Sequence, residues 1–147
     1  MRIAAATATA TAALAWAACS MASPERPATL ALGQSFSLKA GQWAQTADQA
    51  LRVGFEGVTA DSRCPKGEQC IRAGHATLRI WLQRGGGPKA TRELQATAAA
   101  VNSVHALDHE LRLLHLDPYP VSGRVPASGD YVATLILSHA ASAAPER

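Results

Sequence analysis

The clearest periodic signal in the chain runs from Ala76 to Gln83. Ala76, Leu78, Ile80 and Leu82 alternate with Thr77, Arg79, Trp81 and Gln83. Successive side chains of a strand point to opposite faces, so this pattern predicts a strand with the first set in a core and the second turned outward. Leu51, Val53 and Phe55 alternate in the same way with Arg52, Gly54 and Glu56, and predict a second strand over 50–58. Shorter apolar pairs at spacing two, Leu30 with Leu32 and Phe36 with Leu38, precede a turn signal at Gly41. After Ile80 and Leu82 the run Arg84-Gly-Gly-Gly-Pro-Lys89 cannot extend a ladder and predicts an exposed turn. Strands are then expected over 91–96, 104–107, 109–116 and 131–138, with loops at 61–70 and 121–129. Segment 109–116 carries leucine on both faces, which fits a central or bulged strand. Segment 97–103 reads equally as loop or short helical turn.

No amphipathic stretch of three helical turns interrupts these segments, and no solenoid repeat is visible. The fold class that follows is all-β, a small antiparallel sandwich or barrel of about seven to eight strands. One domain, residues 28–138, accommodates it, and the Ala/Ser-rich segment 139–147 is expected to be a disordered tail. Hydrophobic residues make up 48% of the chain but aromatics only 5%, so leucine, valine and isoleucine must carry the core.

The N-terminus changes the picture from fold to destination. Arg2 precedes an uncharged Ala/Thr/Leu run that ends in Ala17-Ala18-Cys19, the layout of an export leader over residues 1–19. Its ending resembles the lipobox of bacterial lipoproteins, although Trp16 stands where that motif usually has leucine. The resemblance implies that Cys19 is lipidated and becomes the new N-terminus. Cleavage near Ser23 is the other fit. Residues 20–27, with Ser-Pro-Glu-Arg-Pro, form a polar tether. The formal net charge of +3, from 14 basic and 11 acidic residues, is too small and too scattered for a nucleic-acid partner.

Three cysteines leave one over after pairing, and lipidation of Cys19 accounts for it. Cys64 and Cys70 enclose a tight loop with Pro65 and Gly67, which suits a disulfide closing the hairpin between the two best strands. By chain entropy such a seven-residue loop contributes about 2.4 kcal/mol. Neither a Cys-x-x-Cys redox motif nor a second cysteine pair for zinc is present. Asp61, Ser62 and Arg63 place an acid, a hydroxyl and a cation together before Cys64. Asp and Ser fix turns by bonding nearby backbone, and Arg63 can pair with Asp61 or cap carbonyls, so the trio reads as turn-structuring rather than catalytic. His105, His109 and His115 have no recognised ligand spacing and read as solvated strand residues, so neither metal nor cofactor is expected. Arg79 and Trp81, on the outward face of the best strand, are residue types enriched at binding hot spots and are the candidate partner-binding pair.

The block Asp61-Ser-Arg-Cys-Pro-Lys-Gly-x-x-Cys-Ile-x-Ala-Gly74 resembles one found in a family of small bacterial lipoproteins. The likeness extends loosely over Ala28 to Leu137, including Leu116-Asp117-Pro118-Tyr119-Pro120 and the strand after Tyr131. It departs at Arg72, where that family usually has tryptophan. The resemblance implies an envelope location and a β fold and carries no assigned activity. The expectation is therefore an exported, lipid-anchored, non-catalytic module that binds or supports an envelope protein. The alternative is a periplasmic enzyme inhibitor or immunity-type protein. Inhibitors of basic, lysozyme-like targets should be acidic, and this chain is not.

Overall fold

A computed structural model of the chain describes residues 27–97 and 102–141. The leader, Cys19, the tether up to residue 26 and the tail from residue 142 lie outside the described residues, as do residues 98–101 within the undecided 97–103 segment. Nine strands follow in order: β1 (Ala28–Leu30), β2 (Ser35–Lys39), β3 (Trp43–Thr46), β4 (Leu51–Asp61), β5 (Ala76–Arg84), β6 (Ala90–Ala96), β7 (Asn102–Ala106), β8 (His109–Asp117) and β9 (Val132–His139). The last begins after a 3-10 turn at Ser128–Asp130 and extends one residue into the expected tail.

The strands form two sheets, ordered β1-β3-β4-β5-β6 and β2-β9-β8-β7. Every pairing is antiparallel except β1 with β3. The result is an open sandwich rather than a closed barrel, all-β as the alternation predicts. Ala76, Leu78, Ile80 and Leu82 are fully buried, together with Val53 and Phe55 from β4 and Leu111, Leu135 and Leu137 from the facing sheet. Few rings are needed because leucines from both inner faces fill the space between the layers.

Two local departures from regular pairing resolve what periodicity alone leaves unresolved. In β8 the register shifts between Leu113 and His115, so Leu114 is squeezed out while Leu111, Leu113 and Leu116 all reach the core. The leucine-rich appearance of both faces is the signature of that bulge. The expected strand over 104–107 ends one residue early. Leu107 and Asp108 adopt φ of 52° and 62° and make the two-residue turn between β7 and β8. Such turns favour Asn-Gly because both central residues need positive φ. Here Leu107 packs against the core, and its carbonyl accepts a bond from Arg84 Nη2 at 2.7 Å, which offsets the backbone cost.

On the outer face of the first sheet the register aligns Trp43, Gly54 and Trp81 in one row across β3, β4 and β5. Trp81 does point away from the core, but it is only 8% exposed. Its ring lies flat over Gly54, where a Cβ would fall 2.1 Å from Cε2, and the Lys89 ammonium sits 4.1 Å from the ring centroid. The outward alternation thus leaves a covered Trp81 beside an exposed Arg79. The missing side chain at Gly54 is the cause, because it opens a slot that the neighbouring indole fills.

This arrangement makes Gly54 and Trp81 energetically one unit. Gly54→Ala should destabilise the domain by about 1–3 kcal/mol through overpacking, and Trp81→Ala by about 3–5 kcal/mol. In the double variant the Gly54→Ala penalty should largely vanish, because the atoms it collides with are gone. Thermal melts of the two single variants and the double variant measure the coupling.

Candidate functional site

At one end of the sandwich β4 terminates at Asp61, and the chain runs through residues 62–75 before β5 begins. The facing sheet contributes residues 118–131, which connect β8 to β9. What joins the two loops is Arg63, 7% exposed and the one buried charged residue among the described residues.

Its guanidinium is satisfied on every side. Nε and Nη2 donate to the two carboxylate oxygens of Asp61 at 2.9 and 2.7 Å, a bidentate pair. Nη1 donates to the Leu116 carbonyl and Nη2 to that of Pro118, both at 2.9 Å. The Tyr119 ring lies 4.8 Å from the guanidinium carbon. Asp61 is equally committed, since Oδ1 also accepts the Arg63 amide and Oδ2 the Tyr131 hydroxyl at 3.0 Å. Planar, five-donor arginine suits this role, and lysine could not reproduce its fork. Burial alone would push the Asp61 carboxyl up, but the bonds from Arg63 and Tyr131 hold it below the usual carboxylate range. Burial and the acceptor at Asp61 both push the Tyr131 phenol up.

Ser62 is taken by structure as well. Its amide and hydroxyl donate to the His75 carbonyl at 2.8 and 2.9 Å, and the hydroxyl accepts the His75 amide at 3.2 Å. Asp61 and Ser62 are thus both engaged in bonds that shape the loop. Gly74 closes the loop with φ +65°, and a Cβ there would fall 1.7 Å from the Ser62 carbonyl oxygen. The glycine that ends the sequence block is therefore a steric requirement.

Cys64 and Cys70 are bonded, with Cα atoms 5.9 Å apart. The Cys64 amide donates to the Ala73 carbonyl at 2.9 Å. Across the gap, the Lys66 amide donates to the Pro120 carbonyl and the Ser122 amide to the Lys66 carbonyl, so the two loops are zipped together. Between them lies a cleft of about 250 Å³ walled by Pro65, Pro120, Val121, Val125 and Pro126 and by the charged Asp61, Arg63, Glu68 and Arg124, with Tyr131 also on its wall. The two loops also turn large apolar side chains to solvent: Ile71 on one is fully exposed, and on the other Val125 is 90% and Val121 49% exposed. Lys66, Arg72 and Arg124, on the same two loops, have no acidic partner among the described residues.

The other sequence candidates lie elsewhere. Arg79, half-exposed, contacts Glu93 at 3.4 Å and Glu56 at 4.0 Å on the sheet face. His109 stacks on His139 with centroids 4.9 Å apart, while His105 and His115 are exposed. No group of three potential metal ligands occurs among the described residues. Sequence reasoning passed over Ile71, Val125 and Tyr131. The signal for Ile71 was present, because an isoleucine directly after a loop-closing cysteine has no strand partner to bury it.

Comparison of the chain with protein families, curated proteins and solved structures finds no match.

Truncating Arg63 strands Asp61 and frees two inward-facing carbonyls, so Arg63→Ala should cost about 3–5 kcal/mol in chemical denaturation. The depressed Asp61 pKa fixes the pH dependence. Its stabilisation is full above the unfolded carboxyl value of about 4 and is lost as pH falls through the lower folded value. Denaturation midpoints taken from pH 7 downwards should fall more steeply below that point in the wild type than in Asp61→Asn.

Proposed function

We propose that this chain is an exported envelope protein, anchored to the membrane through lipid on Cys19, and that it works as a non-catalytic binding or accessory module. Its working surface is the zipped loop end, with an envelope protein as partner. The observation that carries the reading is the exposure of Ile71, Val121 and Val125 on two loops held by a disulfide, a buried ion pair and cross-loop backbone bonds. Apolar side chains on a rigid frame bind well because little freedom remains to be lost on association. Three of the five exposed large hydrophobics among the described residues lie on these two loops, which sets this end apart from the rest of the surface. Arg79 can add a rim contact on the sheet, but Trp81 is too covered to serve as an anchor.

The periplasmic inhibitor or immunity-type reading is favoured by the same loop. A disulfide-closed projection with a fully exposed isoleucine is the shape that enters another protein's cleft. Anchoring and binding are separable. A single acyl chain holds a protein only marginally, so the multiple chains of a bacterial lipoprotein are required.

Cys19→Ser should move the protein from the membrane to the soluble fraction. A wild type that is already soluble would place cleavage near Ser23 instead. Separately, Ile71→Asp with Val125→Asp should reduce partner recovery from solubilised envelopes by about tenfold or more. The melting curve should stay near that of the wild type, since such surface changes usually remain within about 0.5 kcal/mol. Undiminished recovery would move the binding surface away from this end.

A further inference from the structure

Ile71, Arg72 and Ala73 are all exposed and belong to no strand. Both flanks of this short segment are tied to a single residue. On the N-terminal side Cys70 is bonded to the Cys64 sulfur, and on the C-terminal side the Ala73 carbonyl accepts the Cys64 amide at 2.9 Å. Beyond that, His75 is held by Ser62 and Gly74 is wedged beneath the Ser62 carbonyl. Cys64 itself follows Arg63, the best-anchored side chain of this end. Only Ile71 and Arg72 lie between the two ties. The Arg72 guanidinium has no acidic partner among the described residues, and it is free to enter a pocket.

We propose that Cys70-Ile71-Arg72-Ala73 is a substrate-like bait for a serine endopeptidase that cleaves after arginine, with Arg72 filling a primary pocket that has a carboxylate at its base. The inference rests on the binding-module reading and names the partner class for the same loop end. Carboxylate and guanidinium pair bidentately in such a pocket, and Ile71 supplies adjoining apolar contact. In the complex the protease serine oxygen adds to the Arg72 carbonyl carbon while its proton passes to the histidine base. The Arg72–Ala73 bond then breaks and the base returns that proton to the Ala73 nitrogen. In an ordinary substrate the new amine diffuses away and water takes its place. Here the amine stays beside the acyl-enzyme, because Ala73 remains bonded to the Cys64 amide and Cys70 to the Cys64 sulfur. The Ala73 amine can attack the ester again, restoring the peptide bond and the seryl hydroxyl with nothing consumed. Intramolecular return of this kind gains the large effective concentrations of held reactants and outcompetes hydrolysis. The protease is therefore occupied rather than fed.

The test uses the oxidised full chain and trypsin as probe, with residual activity read on a small arginine anilide. Stoichiometric, slowly reversible inhibition is expected. Arg72→Ala should weaken it by about 100-fold or more, Arg72→Lys should retain most of it, and Arg72→Phe should transfer it to chymotrypsin. Trypsin in catalytic amount should also regenerate intact chain from chain nicked at Arg72–Ala73, read by mass spectrometry as the loss of one water. Full trypsin activity in excess protein would overturn the proposal. So would irreversible cleavage at Arg72, or equal inhibition by Arg72→Ala, whose melting curve shows that it is folded. If trypsin is untouched while Ile71→Asp with Val125→Asp still abolishes partner recovery, the bait assignment fails and the binding-module reading survives.

Discussion

The loop end of this domain depends on one buried arginine. Arg63 reaches from the end of β4 into the space beneath residues 116–119 and gathers a carboxylate, two carbonyls and an aromatic face. Removing a guanidinium and a carboxylate from water is expensive, and a buried ion pair seldom exceeds a well-packed apolar substitute in net stability. Its contribution here is better counted as registration. A leucine in place of Arg63 would fill volume but could not specify which carbonyls of the opposite sheet face which residues of the loop. The bidentate fork to Asp61 fixes the guanidinium plane, and the two carbonyl acceptors then fix β8's end relative to it. Tyr131 adds the start of β9 through Asp61. Two loops about 55 residues apart in sequence are thereby given one geometry.

The same need for position explains the small residues around the clamp. Gly74 must pass beneath the Ser62 carbonyl, and no side chain fits there. Gly54 meets a similar demand on the sheet face, where the absent side chain lets Trp81 lie flat. The two glycines serve different ends. Gly54 converts an outward tryptophan into packing surface and strengthens the frame. Gly74 gives up packing so that the backbone can turn sharply beside the disulfide.

How much of this the chain discloses in advance depends on the range of the interaction. Alternation in β5 assigns its core residues because the period of two is local, and all four predicted residues are buried. The Cys64–Cys70 bond follows from parity and short separation. β8 is ambiguous because a single extra residue, Leu114, shifts the phase of everything after it. The Leu107-Asp108 turn escapes notice since its residues are not the usual ones, and the compensation comes from Arg84, 23 positions away. Trp81 is a related case. Its exposure is decided by a glycine on the neighbouring strand, which alternation along one strand does not report. Asp61 and Arg63 are adjacent enough in sequence to be paired on paper. Burial of that pair requires Leu116, Pro118 and Tyr131, whose proximity exists only once both sheets have packed.

A rigid frame and a short exposed segment together constrain what this end can do. Were the whole loop mobile, any partner would have to overcome the entropy of ordering each residue, at roughly 1–2 kcal/mol apiece for the backbone alone. The ties at Cys64, Ser62 and Lys66 have already met that cost during folding, driven by burial of the core. Between the Cys64–Cys70 bond and the bond from the Cys64 amide to the Ala73 carbonyl, Ile71 and Arg72 stand exposed, with no ion pair to Arg72 among the described residues. Selective rigidity of this kind is wasted on a simple spacer, for which a floppy loop would do as well. It has value where one or two side chains must be presented to another surface in a fixed pose, and the sandwich behind them is the scaffold that holds the pose.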